Sequence, residues 1–278
     1  MSEGLKELPV PFYLPPERKL QSRGLYEKVF SGDTKRFVDY YYTCKIKDNQ
    51  ILALEEDGQI VSMLHLNPYC MIVNGYEVKS NYMVAVATHE KYRHRGYMRI
   101  LMERALKDMS CQGMPFTFLM PVSESIYAPF DFVWICPYTE LPDRIMQMDM
   151  ETQNRYLAAR YQMFCKRDER YMENRRAERL AEEGEPPAGT MPPYMVRITD
   201  VCQMLRLVRS RKPRKLCLFV KDSVVEKNHG YFRWELSGDS STAKRLYEPP
   251  ENVDLELTVG ELAGMIFDGF QICLSEVV

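Results

Sequence analysis

The sequence predicts a mixed α+β (α/β mixed) fold, with a central, mostly antiparallel sheet flanked by helices in its N-terminal part. Three observations support this fold class. Short β-prone runs between residues 51 and 88 are separated by turn-forming Asp-Gly and Asn-Gly pairs. An apolar strand, a basic turn and an amphipathic helix follow one another over residues 84–102. From about residue 195 onward, strand-like runs alternate with a helical pattern, which predicts a second α+β unit.

The first elements form a helix followed by a meander. Phe37, Tyr40 and Tyr41 recur at helical spacing after an Asp-Thr start, which predicts an amphipathic helix over residues 33–43. An antiparallel meander is expected after it, with strands at residues 51–55, 60–66, 70–73, 76–78 and 82–88.

A strand, a helix and a second strand come next. The last strand of the meander leads into a helix expected from Tyr97 to about Met109, and a strand over residues 116–120 follows it. The strand on each side of this helix should run in the same direction, so the crossover between them should be right-handed.

The remaining chain predicts a charged connector and a final α+β unit. Charge is dense over residues 144–183, which favours one or two exposed helices that end near Gly184. A linker is then expected at Pro186, Pro187, Pro192 and Pro193. In the last unit we expect a hairpin and a helix, with strands at 216–221 and 231–236, their connecting loop at 222–229, and the helix at 259–267. The predicted boundaries are therefore 1–143, 144–194 and 195–278.

Composition excludes several classes of protein. With 278 residues and 45% apolar content, the chain is long enough for two globular domains. Residues 1–19 contain no apolar run of signal-peptide length, and no segment approaches the roughly 20 apolar residues of a spanning helix. We therefore expect a cytoplasmic protein with no membrane partner.

Charge and cysteine spacing give two further exclusions. The net charge of −2 gives no general attraction to nucleic acid, and the one basic cluster, residues 209–216, lacks interleaved aromatic residues and is typical of a solvated loop. The eight cysteines contain no Cys-x-x-Cys pair, which argues against zinc and against a disulfide framework. No nucleic-acid partner and no metal are expected.

The stretch that leads into the helix expected from Tyr97 carries the strongest chemical signal. Arg93, His94 and Arg95 precede Gly96, where the expected helix exposes its unpaired backbone N–H groups. Glycine lets the backbone approach a ligand, and the helix dipole adds partial positive charge, so the pattern suits a pyrophosphate. A solvated basic turn is the alternative that the pattern alone leaves open.

This Arg-x-x-Gly pattern resembles the acetyl-CoA loop of the GNAT superfamily of N-acetyltransferases, with Met98 in place of the usual second small residue. A second block, residues 122–132 (VSESIYAPFDF), is similar to a segment of the enhanced intracellular survival (Eis) branch, with Asp131 where that branch has glycine. Residues 195–205 and 253–270 resemble parts of the sterol-carrier-protein-like C-terminal domain of that branch. The chain thus resembles a shortened Eis-like enzyme, in which the charged connector replaces a middle domain.

The resemblance implies an N-terminal GNAT fold and an acetyl-CoA-dependent N-acetyltransferase. Tyr127 matches the tyrosine that acts as general acid in that branch; a core aromatic is the alternative reading, since the chain has 18 tyrosines. The Val278 carboxylate matches the proposed general base, with His65, His89 and Glu90 as alternatives. The residues expected to bind the coenzyme are Val86, Ala87, Thr88, Arg93, His94, Arg95, Gly96, Tyr97, Met98, Arg99, Val122 and Ser123.

The resemblance also implies partners. Acetyl-CoA is the expected co-substrate, a small-molecule or peptide amine the acceptor, and a homo-oligomer the assembly. The identity of the acceptor and the length of the transferred acyl group stay open. The competing interpretation is a non-catalytic module that binds acyl-CoA or lipid.

Overall fold

The computed structural model describes residues 9–183, 191–238 and 240–277. The expected helix end at Gly184, the prolines Pro186 and Pro187, and Val278 lie outside these residues.

Among the described residues the chain forms thirteen strands and nine α-helices, with short 3₁₀ turns between them. The strands are β1 (Phe12–Tyr13), β2 (Gln50–Glu56), β3 (Gln59–Val73), β4 (Tyr76–Thr88), β5 (Phe116–Leu119), β6 (Val133–Cys136), β7 (Met163–Cys165), β8 (Tyr194–Ile198), β9 (Arg214–Lys221), β10 (Gly230–Leu236), β11 (Thr242–Leu246), β12 (Leu255–Thr258) and β13 (Ile272–Cys273). The α-helices are α1 (Arg23–Val29), α2 (Lys35–Thr43), α3 (Tyr97–Cys111), α4 (Glu124–Tyr127), α5 (Asp143–Met146), α6 (Met150–Ala158), α7 (Glu169–Glu182), α8 (Val201–Leu207) and α9 (Val259–Phe267).

A mixed sheet of nine strands is the centre of the described structure. Its main path has the order β1-β2-β3-β4-β5-β8-β6, β7 pairs with β3, and β13 pairs with β7. Strands β1 to β4 are antiparallel neighbours, β4 and β5 are parallel, and β8 runs antiparallel to both β5 and β6. The predicted mixed, mostly antiparallel sheet flanked by helices is confirmed.

The turns of the meander follow from the sequence, but its strands are longer than expected. Asp57-Gly58 and Asn74-Gly75 both take positive φ at both positions, the conformation of a tight hairpin turn. The runs expected at 60–66 and 70–73 are one strand, β3, because Pro68 lies where β2 has ended and β7 has not begun. Its missing N–H therefore costs no ladder hydrogen bond on that edge.

The sheet separates two cores. Alternate residues of a strand face opposite sides, so Leu52 and Leu54 of β2 join the large core with α3, whereas Ile51 and Ala53 join a second core with α1 and α2. Helix α2 begins as predicted, because the Thr34 side chain accepts a hydrogen bond from the third amide of the helix.

The last third of the chain adds a second sheet of four strands, with the order β11-β10-β9-β12. The predicted hairpin of β9 and β10 and the predicted helix over 259–267 are confirmed; α9 begins in a capping box between Thr258 and Glu261. Arg197 of β8 and Asp222 join the two sheets by a fully buried ion pair of 2.7 Å.

The charged stretch contains one helix and one strand more than the one or two exposed helices that the sequence predicted. Helices α5, α6 and α7 occupy it, but Met163–Cys165 form β7, whose three residues are too few for a readable period. Strands β8 and β13, from the segment expected to form the third unit, lie in the large sheet. The boundaries at 143 and 194 remain a prediction. Within the described residues, no helix is both long and apolar enough to cross a membrane.

Candidate functional site

A bulge interrupts β4 before the basic turn. Met63 of β3 lies opposite Ala87 and His65 lies opposite Val84, so β4 carries one residue more than β3 between these pairs. Ala85 takes a φ of 52° to accommodate it. A bulge bends a strand and re-aims the residues that follow it.

Strands β4 and β5 then separate. Within the described chain, Tyr82 and Phe118 are the one pair in register between these parallel strands. Beyond them, Val86–Thr88 and the end of β5 have no ladder contact with each other among the described residues. Among the described residues β4 has no partner strand on this side, so backbone groups there can bind a ligand, although the Ala87 and Thr88 carbonyl oxygens already accept hydrogen bonds from Ser62 Oγ at 3.1 Å and Arg93 Nε at 3.2 Å.

The basic turn places the start of α3 beside the same strand end. His94 and Gly96 both have positive φ, 63° and 80°. Apart from its chain neighbours, no atom of the described residues lies within 4 Å of the position that a Cβ on Gly96 would take, and none of their side chains caps the helix. The first amides of this 15-residue helix therefore have no capping side chain among the described residues, as an anion site requires.

The side chains of the turn divide into two groups. Arg93, His94 and Arg95 are exposed, and the Arg95 guanidinium lies 5.0 Å from the centre of the Tyr92 ring. Tyr97, in contrast, is buried and donates a hydrogen bond to the Glu56 carboxylate, so of this residue only the backbone faces the helix start.

Met98 and Arg99 complete the first turn of α3. Met98 packs against the large core. The Arg99 guanidinium lies 5.2 Å from the centre of the Phe130 ring and 3.4 Å from the Glu103 carboxylate. The contact with Phe130 connects this helix end to the segment that carries Tyr127. We call the bulge, the basic turn and this helix start, residues 84–99, the β4–α3 face.

Tyr127 ends α4, directly after the cleft between β4 and β5. Its side chain is 6% exposed and packs edge-on against Phe132 at 5.9 Å. Burial raises the pKa of Tyr127 to about 12. Its hydroxyl interacts electrostatically with that of Tyr82, which stands where the two strands begin to separate. Tyr127 is thus both a core aromatic and a neighbour of the cleft.

The residues on either side of Tyr127 differ in exposure and in backbone conformation. Val122 and Ser123 are exposed, and Ser123 Oγ lies 2.9 Å from Ser125 Oγ. Asp131 adopts a φ of 60°, the left-handed conformation for which glycine is the usual residue. Its backbone oxygen lies 3.2 Å from the position of a Cβ on Gly260, so α9 approaches this turn closely.

A cavity of about 460 Å³ lies toward the other end of β4. Helices α2 and α7, strands β3 and β4 and the C-terminal tail line it, with Tyr40, Lys45, Tyr69, Ser80, Asp48, Glu77, Asp168, Arg170, Tyr171, Arg175, Glu178 and Val277 among the lining residues. We call it the α2–α7 cavity. Tyr69 in its wall packs against Tyr82 at 6.5 Å, which connects it to the cleft.

The C-terminal tail is held at this cavity by a buried carboxylate. Glu276 is 1% exposed and pairs with Arg167 at 3.2 Å, while Tyr171 Oη donates to the same oxygen at 2.8 Å. Tyr194 Oη donates to the Glu276 carbonyl oxygen at 2.7 Å. Val277 lines the cavity, and the predicted base Val278 lies outside the described residues.

Sequence reasoning missed Lys45. Its ammonium is 2.9 Å from Tyr69 Oη and 4.7 Å from the centre of that ring, and its side chain is 6% exposed. Burial lowers the pKa of Lys45 to about 8. No local sequence pattern predicts that Lys45 is buried, because the groups that bury it come from distant segments.

The alternative bases lie elsewhere. His65 is fully buried, where burial lowers its pKa to about 3, and its Nδ1 is 2.8 Å from Tyr41 Oη. His89 and Glu90 lie on the surface near Lys28, whose ammonium is 2.9 Å from the imidazole and 3.1 Å from the carboxylate. In the part of the chain that the structure describes, no group of three or more metal-ligating side chains could hold a metal ion.

Comparison with protein families agrees with this geometry. Residues 18–135 match the family model of the acetyltransferase (GNAT) domain. The matched range contains the whole β4–α3 face and Tyr127. No curated protein matches the chain.

Solved structures of similar shape span almost the whole chain. A probable N-acyltransferase from Enterococcus faecalis has a TM-score of 0.68 at 12% identity, over 94% of this chain and 90% of its own. A GCN5-related N-acetyltransferase from Anabaena variabilis has a TM-score of 0.64 at 13% identity, over 92% and 90%. Eis1 from Mycobacterium abscessus has a TM-score of 0.65 at 12% identity, over 94% and 90%. At this identity the likeness shows the fold alone, a mixed α/β GNAT fold.

Proposed function

We propose that the protein is an acetyl-CoA-dependent N-acetyltransferase that acts on a small-molecule or peptide amine. The observation that carries the proposal is the coincidence, at one end of β4, of a strand cleft and an uncapped helix start beside exposed cations. A pantetheine arm needs backbone partners and a pyrophosphate needs amides and positive charge, and the β4–α3 face offers both within a few residues.

The described residues suit the coenzyme. Backbone groups of Val86, Ala87 and Thr88 would bind its pantetheine arm, and the amides after Gly96 would bind its pyrophosphate. The guanidinium groups of Arg93, Arg95 and Arg99 and the imidazole of His94 would neutralise its phosphate charge, with Val122 and Ser123 on the far side of the cleft. Tyr97 and Met98 would contribute through their backbone amides.

Tyr127 would act as the general acid. Acetyl-CoA, when bound, supplies the acetyl group as a reactive thioester. Tyr127 Oη would give its proton to the sulfur that leaves when the amine nitrogen bonds to the acetyl carbon. Since the pKa of Tyr127 is raised to about 12, the hydroxyl keeps this proton at neutral pH.

The Val278 carboxylate would accept the proton that the amine loses. The support is indirect: the buried clamp on Glu276 fixes the chain two residues earlier, and Val277 already lines the α2–α7 cavity. A positioned carboxylate near neutral pH is ionised and can serve as a base. Adding one alanine after Val278 should lower turnover while leaving the dissociation constant for acetyl-CoA unchanged.

The test of the proposed function combines binding and turnover. Titration calorimetry with acetyl-CoA measures the coenzyme site, and release of free thiol with a panel of amines measures transfer. We expect saturable binding and amine-dependent thiol release. Stabilisation against heat by fatty acids alone, with no binding of acetyl-CoA, would instead favour the lipid-binding interpretation.

The same assays extend to the finer predictions. Propionyl-CoA in place of acetyl-CoA tests the length of the acyl group. Sedimentation velocity tests the expected homo-oligomer. The segment that resembles a sterol-carrier domain, residues 195–278, supplies β13 and most of β8 to the large sheet. Deleting this segment should therefore remove activity.

A further inference from the structure

The α2–α7 cavity contains two buried charged groups of opposite sign whose hydrogen-bonding capacity is not used up. One is the ammonium of Lys45 and the other is the carboxylate of Glu178. Buried polar groups normally have all their partners, so unused capacity at the wall of a cavity points to a ligand.

Lys45 has donors to spare. An ammonium carries three N–H groups, but among the described residues it donates one hydrogen bond, to Tyr69 Oη. No carboxylate of the described chain lies within ion-pair distance of it. Its pKa, lowered to about 8, leaves it mostly cationic at pH 7, so it presents a dehydrated positive charge to the cavity.

Glu178 has an acceptor to spare. It is 2% exposed, and Arg175 pairs with its Oε2. Its Oε1 is buried and has no hydrogen-bond partner among the described residues. A buried carboxylate oxygen without a donor is costly, and an ammonium or amine from a ligand would satisfy it.

Most of the other charged side chains that line the cavity have partners among the described residues; Lys79, which is exposed, is the exception. Lys166 pairs with Glu77 at 2.5 Å, and Arg170 pairs with Asp48. Asp168 accepts a hydrogen bond from the Tyr171 amide and so caps α7. These pairs are close to neutral in sum, unlike the strongly acidic wall that a polycationic amine would need.

We infer that the α2–α7 cavity binds an amine that also carries a carboxylate, that is, an amino acid or a molecule of that kind. Lys45 binds the carboxylate and Glu178 binds the nitrogen. The inference deepens the proposed function and rests on it for the identification of this ligand as the acetyl acceptor. The rings of Tyr40 and Tyr69 are among the apolar groups of the wall, with Val78 and Met114.

The test uses pairs of amines that differ by the carboxylate alone: phenylalanine and phenethylamine, methionine and 3-(methylthio)propylamine, lysine and cadaverine. Thiol release gives KM and kcat for each, and calorimetry gives the dissociation constant. Because a hydrogen bond to a charged group changes an equilibrium by about tenfold or more, we expect KM of the best amino acid to be about tenfold below that of its partner.

Two variants assign the recognition to the two side chains. Lys45→Met should raise KM of the amino acid about tenfold relative to KM of the simple amine and so remove the preference for the carboxylate, whereas Lys47→Met, on the exposed side of the same turn, should keep the wild-type preference. Glu178→Gln should raise KM of both members of a pair by a similar factor. Glu182→Gln, exposed on the same helix, is its control.

The outcomes separate this inference from the proposed function. Equal KM values within every pair, or a Lys45→Met variant that lowers kcat equally for both members, would overturn the inference while transfer itself stands. If no amine releases thiol, the proposed function fails, and calorimetry still decides the inference: wild-type protein must bind the amino acid more tightly than its partner, and Lys45→Met must not.

Discussion

The β4–α3 face and the α2–α7 cavity are built in different ways. The β4–α3 face comes from one continuous stretch, residues 84–99, and the cleft beside it adds the strand that follows. The α2–α7 cavity draws on residues as distant in the chain as Tyr40 and Val277. The first is determined by backbone conformation, a bulge and a glycine; the second is determined by side chains that distant segments bring together.

This difference has a functional consequence. Many sequences can preserve a backbone site, whereas a side-chain site changes with any of its contributors. The β4–α3 face should therefore tolerate changes in side chains that the α2–α7 cavity does not. Tyr127 belongs to neither region, and its substitution should affect catalysis without affecting binding in either.

The largest expected effect is that of Tyr127→Phe. Loss of a general acid costs about 10²- to 10⁴-fold in rate, so kcat should fall within this range. The dissociation constants of acetyl-CoA and of the acceptor should stay within twofold, since the ring and its packing on Phe132 remain. Steady-state kinetics and calorimetry measure both.

A matched tyrosine controls for the loss of a hydroxyl. Tyr156 lies in α6 and packs against Arg160, away from both regions. Tyr156→Phe should leave kcat unchanged. If Tyr127→Phe retains wild-type kcat, Tyr127 is a core aromatic alone and the acid must be another group.

The next effect concerns the tail at the α2–α7 cavity. Glu276→Gln leaves the guanidinium of Arg167 buried without its counter-charge, which costs about 3–5 kcal/mol when one partner of a buried pair is removed. Urea unfolding should report a loss of this order. The acceptor KM should rise as well, because Val277 in the cavity wall depends on this clamp.

The second buried ion pair provides the control for this prediction. Arg197 and Asp222 are as buried as Arg167 and Glu276, but they join the two sheets and do not line the cavity. Asp222→Asn should lower the free energy of unfolding by a similar amount, with the acceptor KM unchanged at temperatures where the variant is folded. An equal rise of KM in both variants would mean that the tail has no special role.

The two regions also differ in what the sequence could predict. The turn at Gly96, the strand that leads into it and the helix after it are local, and their patterns predicted β4 and α3 correctly. Met98, which replaces the usual second small residue of the loop, does not block the start of α3, because its side chain packs against the core.

The cavity could not be predicted in this way. Lys45 and Glu178 follow no motif, and their meaning depends on burial, which tertiary contacts alone create. The strand β7 was missed for a related reason, since its three residues are stabilised by β3 and β13 rather than by their own pattern. Long-range contacts, not local propensity, decide this part of the molecule.

A stability measurement sharpens the contrast between the two regions. Burial lowers the pKa of Lys45 from 10.5 to about 8, so the folded state binds its proton less tightly than the unfolded state does. Stability should therefore rise with pH between about 8 and 10.5. Below pH 8, Lys45→Met should stabilise the protein by up to about 3 kcal/mol, since each pKa unit is worth about 1.4 kcal/mol.

Urea unfolding at pH 7 and pH 10 measures this gain, with Lys47→Met as the exposed control. The gain should shrink at pH 10, where wild-type Lys45 has lost most of its charge. A destabilised Lys45→Met variant would show that the hydrogen bond to Tyr69 outweighs the cost of burial, and that the residue serves the fold.

A smaller effect is expected at the β4–α3 face. Gly96→Ala adds a methyl group that meets no protein atom, but places it before the helix start. The positive φ costs about 1 kcal/mol of stability. The KM for acetyl-CoA should rise about tenfold, as expected when charge-assisted hydrogen bonds to the phosphates are weakened.

Gly75→Ala separates strain from ligand approach. Gly75 has a φ of 83°, has open space around its Cβ position, and lies in the turn between β3 and β4, far along the sheet from the helix start. It should show the same loss of stability with an unchanged KM for acetyl-CoA. Similar KM values in the two variants would argue against a phosphate site at Gly96.

The smallest effect expected at Tyr127 is the absence of a basic limb in the pH profile. With a pKa raised to about 12, its hydroxyl stays protonated up to pH 10, so kcat/KM for a simple amine should rise with pH as the amine loses its proton, and should not fall again.

The pH dependence of the α2–α7 cavity should be different. The charges of Glu178, Glu276 and Arg175 also act on Lys45, but burial dominates and lowers its pKa to about 8, so the preference for a carboxylate-bearing amine should be present below pH 8 and disappear above it. A preference that persists to pH 10 would assign carboxylate recognition to a group that remains cationic there.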